Sequence, residues 1–355
     1  MSNAAWDFVV GKDDLRQTRI NAAPAGDLAE GDIRLKVESF ALTANNITYA
    51  VFGERMGYWK FYPAPEGWGR VPVWGYAVVE ASNHPEIKVG QRFFGYVPMS
   101  SHTTATPRKT ATGFFETSPW RAELAAPYNQ YRLVDGTEAH EDEQSLLFPL
   151  FMTSWLINDM LQDDGFHGAK SVVLSSASSK TAIGLAHLLH RAGKVKVVGL
   201  TSPGNAEFVE GLGCYDQVIP YEGLGGAAVD EPVVYVDLAG NAGLRTAVHH
   251  RFGEALVYDC VVGGTHWEAA PESHHDLPGA RPTFFFAPDR IKKRREDWGP
   301  GGLEAKFAKD WPVFIADSTR WMKVERRAGP EAVRKTYIEV LNATASPDQG
   351  FICTP

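Results

Sequence analysis

Ser171-Val-Val-Leu-Ser-Ser-Ala-Ser-Ser-Lys-Thr-Ala-Ile-Gly184 is the stretch whose reading decides how this chain folds. Val172, Val173 and Leu174 follow one another without polar alternation, so they predict a strand buried on both faces. A run of small and hydroxylated residues comes next. Residues 181–191 then place Ala182, Ile183, Leu185, Ala186, Leu188 and Leu189 at helical spacing. Forward of this unit the pattern repeats: strand 195–200, helix 206–212, strands 217–219 and 233–236, helix 242–251, strand 255–258. Behind it, the mostly apolar run 146–161 is long enough for a buried helix. Strands alternating with helices, several apolar on both faces, predict a doubly wound parallel sheet covered on both sides.

The amino-terminal third reads differently. Ile33, Leu35 and Val37 alternate with Arg34, Lys36 and Glu38, the period of a half-buried antiparallel strand. Strand-like pieces follow at 76–80 and 91–97, while the Ser- and Thr-rich stretch 100–118, with Pro107 and Gly113, reads as a loop. Up to about Asp142 the chain is therefore expected to be β-rich. From Thr283 the character is mixed, with a helix at 331–342 and a strand at 350–353. The sequence carries no internal repeat and no low-complexity tract.

Bulk properties narrow the function. At 355 residues, two domains are comfortable, and 44% hydrophobic with 22% charged residues is ordinary globular composition. A formal net charge of −8 argues against a nucleic-acid partner. The basic run Lys292-Lys293-Arg294-Arg295 is the local exception, with two readings: a solvated helix face or a phosphate grip. Cys214, Cys260 and Cys353 lie far apart and form no CxxC pair, which excludes a four-thiolate zinc site and suits a reducing cytosol. Residues 1–11 lack a basic start and a long apolar core, so no signal peptide is expected. No apolar run approaches the roughly 20 residues that span a bilayer. The expectation is a cytoplasmic protein with no membrane partner.

In a parallel sheet the ligand lies at the carboxyl ends of the strands, near the reversal of strand order. The first such end is the 174–184 turn. It offers Ser and Ala where a dinucleotide fingerprint has Gly-x-Gly-x-x-Gly. Two readings stay open: small residues that admit a pyrophosphate to a helix N-terminus, or a tight packed turn with an N-cap serine. The second strand ends in Thr201-Ser-Pro-Gly-Asn205, with no acid to hold a ribose 2′-hydroxyl and repel a 2′-phosphate. That favours NADP(H) over NAD(H). Between Gly57 and Tyr76 stand Tyr58, Trp59, Phe61, Tyr62, Trp68 and Trp74, either a pocket wall for a planar substrate or ordinary core. The pairs His249-His250 and His274-His275 point apart on a helix or a strand, and His266 lies nearer the expected site; no metal is expected.

These residues together resemble the zinc-free, quinone-oxidoreductase-like members of the medium-chain dehydrogenase/reductase superfamily, as a divergent branch. The resemblance runs through Phe148-Pro-Leu-Phe-Met-Thr153-Ser-Trp, the 171–184 stretch, Glu210-Gly-Leu-Gly-Cys-Tyr-Asp-Gln-Val-Ile-Pro-Tyr221 and Val236-Asp-Leu-Ala-Gly240. Nearer the amino terminus it includes Val37-Glu-Ser-Phe-Ala-Leu-Thr-Ala-Asn-Asn-Ile-Thr-Tyr49 and Val71-Pro-Val-Trp-Gly-Tyr-Ala-Val-Val79. It implies an α/β protein: a GroES-like β-rich catalytic domain over 1–142, a Rossmann dinucleotide-binding domain over 143–282, and a carboxyl-terminal part, 283–355, completing the first. It also implies that Thr153 lies near the nicotinamide and that Ser176, Ser178, Ser179 and Lys180 surround the pyrophosphate. Thr201, Ser202 and Tyr221 then fall near the 2′-phosphate, and Val262 and Gly263 near the nicotinamide ribose. The phosphate-turn glycines and the catalytic-zinc ligands of the alcohol-dehydrogenase branch are absent here.

Without a metal, a carbonyl or enone must be polarised by hydrogen bonds and protonated by a side chain or water. The resemblance places Tyr49 in the cleft as the donor, with Asn45 and Asn46 orienting substrate; the competing reading has Tyr49 packing only. The expected activity is NADP(H)-dependent reduction of an activated alkene, quinone or carbonyl of a small molecule. The alternatives are a non-catalytic dinucleotide-binding protein, or a reductase of a coenzyme A thioester held by the basic run. Pairing into a homodimer through the sheet edge is the partner expectation.

Overall fold

The computed structural model describes residues 5–23, 26–262 and 277–355. It divides into two compact units, Met1–Leu146 with Met322–Pro355, and Leu147–Trp321. The helix Glu141–Asp163 carries the chain from one into the other.

In the second unit, a six-stranded parallel sheet is ordered Gln217–Pro220, Lys196–Thr201, Ser171–Leu174, Val233–Asp237, Leu256–Val261, Pro282–Phe284. Numbered along the chain, this is the order 3-2-1-4-5-6 of a dinucleotide-binding fold, with its reversal between the first and fourth strands. Val172 lies opposite Val197 on one side and Val234 on the other, so both edges of the strand are paired, and Val172, Val173 and Leu174 are fully buried. Val173, Val198, Leu200, Ile219, Val233, Tyr235, Val248 and Phe252 close the core beneath it. Fully burying each such aliphatic side chain is worth about 1.5–3 kcal/mol.

The helix Lys180–Ala192 starts where the Ser179 hydroxyl accepts the Ala182 N–H at 3.3 Å, and it stops at Gly193 with φ 61°. Gly184 on this helix lets the helix Glu141–Asp163 come close: an added Cβ would stand 2.9 Å from the Ser154 hydroxyl. Past the sixth strand, the helices Ala287–Trp298 and Gly302–Ser318 stay with this unit. Arg290 and Arg294 both bind Asp159 and Asp163, and Phe314 stacks on Phe151 with centroids 4.3 Å apart.

The first unit is β-rich, as expected. A nine-stranded sheet centres on Ile33–Leu42 and Pro72–Ser82, and a three-stranded sheet pairs Thr18–Ala22, Trp6–Gly11 and Trp68–Gly69. Stretch 100–118 is no loop. It forms the strands His102–Ala105, Pro107–Thr110 and Gly113–Glu116: the first, with its β-branched threonines, pairs with Ile33–Leu42, Arg34 opposite Thr104 for example, and the other two form a hairpin that pairs with Gln130–Val134. The carboxyl terminus supplies a parallel pair, Lys323–Ala328 and Gln349–Thr354, crossed by the helix Pro330–Leu341. Its second strand then pairs with Ile33–Leu42.

Candidate functional site

The carboxyl ends of the first three parallel strands meet at one corner. Ser176 leaves the first strand with φ 50°, the left-handed conformation a glycine normally takes at this turn. Its N–H donates to the Tyr221 hydroxyl at 3.3 Å, and the next N–H, of Ala177, donates to the Leu200 carbonyl at 3.0 Å. Ala177 is fully buried and reaches down to Gly199 on the second strand, where an added Cβ would stand 2.9 Å from its own. The turn is therefore drawn tightly against the sheet by an alanine-over-glycine contact. Ser178 accepts from the Asn205 amide at 3.1 Å, which ties the turn to the loop after the second strand. Thr201, 1% exposed, ends that strand with a hydroxyl that has no partner among the described residues.

The structure thus brings Ser176, Ser178, Ser179, Thr201, Ser202 and Tyr221 to one place, with Lys180 opening the helix behind them. Burial raises the Tyr221 pKa, so its hydroxyl stays protonated. Small side chains and a helix N-terminus form a cradle whose chemistry fits a phosphate ester, while the Ser176 and Ala177 N–H groups are spent on Tyr221 and Leu200. Thr153 sits on the helix Glu141–Asp163 and donates to the Pro149 carbonyl at 3.1 Å. Val262 follows the fifth strand, its N–H bonded to the Asp237 carbonyl at 2.9 Å. Gly263, His266, His274 and His275 lie outside the described residues.

Sequence reasoning missed what lies beneath the reversal point. Ser175, the residue before the turn, is completely buried. Its hydroxyl donates to Asp237 at 3.0 Å and accepts the N–H groups of Leu238 and Ala239 at 2.9 and 3.0 Å. The ends of the first and fourth strands are stitched together by one oxygen. The other oxygen of Asp237 binds the Arg245 guanidinium, whose Nε lies 4.0 Å from Asp259; Asp259 in turn holds His249 at 2.9 Å. All four ionisable groups are buried. An acid that ends one apolar strand and another inside the next, with Arg and His four apart on the intervening helix, was the signal available.

In the first unit, Tyr49, Asn45 and Asn46 lie on the helix Ala44–Val51. Tyr49 packs with Tyr58, Phe61, Tyr62 and Tyr96, with Trp74 and Tyr128 at its side. Its hydroxyl meets Asn45, Tyr128 and the Trp74 indole N–H, the last at 3.5 Å. Burial chiefly, with Tyr58 adding, raises its pKa well above that of a free phenol. Asn46 spends its amide on structure: Oδ1 accepts the Thr43 N–H at 2.7 Å and Nδ2 donates to the Pro72 carbonyl at 3.1 Å. Arg121, 2% exposed, was not anticipated; it donates to the Phe61 carbonyl at 3.0 Å and lies over the Tyr62 ring.

Other candidates have other employment. In the basic run, Lys293 binds Asp297 at 2.7 Å, Arg294 binds Asp159, Asp163 and Asp297, and Arg295 binds Glu304 at 3.1 Å. The three cysteines are free and buried, and burial pushes the Cys214 and Cys353 thiols up to about 12, so they are poor nucleophiles. Among the described residues no group of three or more His, Cys, Asp or Glu side chains is arranged to hold a metal ion, and no helix is long and apolar enough to cross a membrane.

Comparison with solved structures yields the same fold along the whole chain. CurA from Vibrio vulnificus, solved in complex with NADPH, is 14% identical over 99% of both chains, with a TM-score of 0.66. The yhdH oxidoreductase from Salmonella enterica, solved in complex with NADP, is 15% identical over 99% of both, at 0.57. The CurK enoyl reductase is 11% identical over 99% of both, also at 0.57. The fold shared with these structures is a GroES-like β-rich unit and a Rossmann unit. No curated protein matches the sequence significantly. A family model described as "Protein of unknown function (DUF2855)" matches residues 40–346, and the chain belongs to that family.

Proposed function

We propose that this chain is an NADP(H)-dependent oxidoreductase that reduces an activated alkene, quinone or carbonyl of a small molecule without a metal. The observation that carries the reading is the corner at the first strand end. There a serine in the left-handed conformation and an alanine seated on Gly199 draw the turn against the sheet ahead of a helix N-terminus. The buried Thr201 hydroxyl, without a partner among the described residues, and the lack of an acid in the sequence Thr201-Ser-Pro-Gly-Asn205 support a phosphorylated ribose at the second strand end. That fold neighbours were solved with NADPH or NADP supports the cofactor, and an enoyl reductase among them supports the alkene.

In this reading Ser176, Ser178, Ser179 and Lys180 hold the diphosphate and Thr201, Ser202 and Tyr221 the 2′-phosphate. Thr153 and Val262 bear on the nicotinamide side. The dinucleotide supplies the hydride when bound. Tyr49 supplies the proton: its raised pKa keeps the phenol a donor across the physiological range, and Asn45, hydrogen-bonded to it, fixes its direction. Asn46 acts one step back, by capping the helix that carries Tyr49. The pairing of Lys293, Arg294 and Arg295 with carboxylates weighs against a coenzyme A thioester held by that run. A cytoplasmic homodimer belongs to the same proposal, supported by Phe284 standing 56% exposed on the edge strand Pro282–Phe284.

The test is NADPH oxidation against a panel of enones, quinones and aldehydes, with wild type and Tyr49→Phe. Losing a positioned acid removes about 10²–10⁴-fold in turnover while NADPH affinity stays put. Turnover unchanged in Tyr49→Phe removes that residue from the donor role, and binding without turnover of any class leaves a non-catalytic dinucleotide-binding protein.

A further inference from the structure

We infer that the buried row Ser175–Asp237–Arg245–Asp259–His249 is a positioning network for the dinucleotide crevice, neutral only while His249 is protonated, so that loss of that proton weakens binding of an anionic dinucleotide. The inference rests on the reading of the crevice as a dinucleotide site. Hydrogen-bond directions decide the protonation state. His249 is fully buried on the helix Ala242–Phe252, and both ring nitrogens face acceptors: Nε2 the Asp259 carboxylate at 2.9 Å, Nδ1 the Pro278 carbonyl at 2.8 Å. A neutral imidazole has one N–H and cannot satisfy both, whereas the imidazolium has two.

The charges then balance. Asp237 and Asp259 carry two negative charges, Arg245 and protonated His249 two positive ones, all at or below 8% exposure. Among the described residues, Tyr235 on the fourth strand and the Cys260 thiol on the fifth, both held protonated by burial, and the uncharged Pro278 carbonyl also face the row. Burial works against the charge on His249, but the Asp259 hydrogen bond, the Pro278 carbonyl and the Asp259 charge outweigh it, so its pKa stands above the ordinary value. Removing this proton leaves a net negative charge on the network and a further acceptor without a donor, beside Asp259 Oδ1, which has none among the described residues.

That charge is placed where it matters. Asp237 ends the fourth strand, accepts the Gly240 N–H at 2.9 Å and, through Ser175, holds the residue from which the phosphate turn departs. The crevice of this fold opens outside those two strand ends. A group whose folded pKa is raised contributes fully below its unfolded value, near 6.5, and loses its contribution as pH rises through the folded value. For the crevice, the negative charge that appears as His249 loses its proton opposes an anionic dinucleotide, so NADPH affinity falls with rising pH, on the order of tenfold across the step for one unit charge acting through a protein interior.

The experiment is calorimetric titration of NADPH from about pH 6.5 upward, with the fold checked by circular dichroism at each pH. Wild type is compared with His249→Gln and with Asp259→Asn. Asparagine can donate to Nε2, which lets a neutral His249 keep its bond to Pro278. An affinity step is expected in wild type and in neither variant. A flat wild-type affinity, a step that persists in Asp259→Asn, or a step in melting temperature without one in affinity overturns the network's role alone. Wild type that binds no NADPH at any pH overturns the redox reading with it.

Discussion

Ser176 holds a backbone conformation that costs an L-residue about 1–2 kcal/mol and a glycine nothing. Its N–H, which bonds Tyr221, would survive a change to glycine. Ser176→Gly should therefore stabilise the second unit by up to about 1 kcal/mol after glycine's extra chain entropy is subtracted, a rise of about 2 °C in melting temperature. Scanning calorimetry measures this, and a fall in melting temperature would show that the serine hydroxyl contributes more than the strain costs. Residue types at the strand ends are legible in the sequence alone: Ser176, Ser178, Thr201 and Tyr221 do converge. The oxygen that joins the first and fourth strands is not, because a buried serine and an exposed one look alike in sequence. Its role comes from Asp237, sixty-two residues away.

At the scale of elements, the parallel strands announce themselves through unbroken valine and leucine, and the capped helices through apolar spacing. The strands of stretch 100–118 do not: His102–Ala105 pairs with the distant Ile33–Leu42, and the hairpin of Pro107–Thr110 and Gly113–Glu116 is joined to the sheet through Gln130–Val134, so the sequence of the stretch alone does not record its partners. Lys323–Ala328 is hidden for a similar reason: charged side chains on an outer strand resemble a loop. The basic run is the instructive case. It is a helix face, yet Arg294 is turned inward to Asp159 and Asp163 of the helix Glu141–Asp163. Asp159→Ala leaves the buried Arg290 and Arg294 short of a counter-charge and should cost about 3 kcal/mol. Denaturant titration reads this, and a loss below about 1 kcal/mol would mean that the hairpin holds by its stacked Phe151 and Phe314 instead.

For the whole molecule, the change from period-two to period-helical patterning near residue 142 lies close to the division at Leu146. The return to the β-rich unit falls at Met322, and the interval from 283 is the helical hairpin whose arginines and Phe314 commit it to the Rossmann unit. No local signal in its sequence names the surface it packs on. The function proposed for the protein depends on a serine-built turn performing a glycine-built turn's task. Calorimetric titration of wild type with NADPH and NADH tests that most directly. Saturable NADPH binding is expected, tighter than NADH binding and abolished by Ser178→Glu, which sets a carboxylate against the diphosphate. Heat no greater than dilution with millimolar NADPH, or affinity untouched by Ser178→Glu, would contradict it.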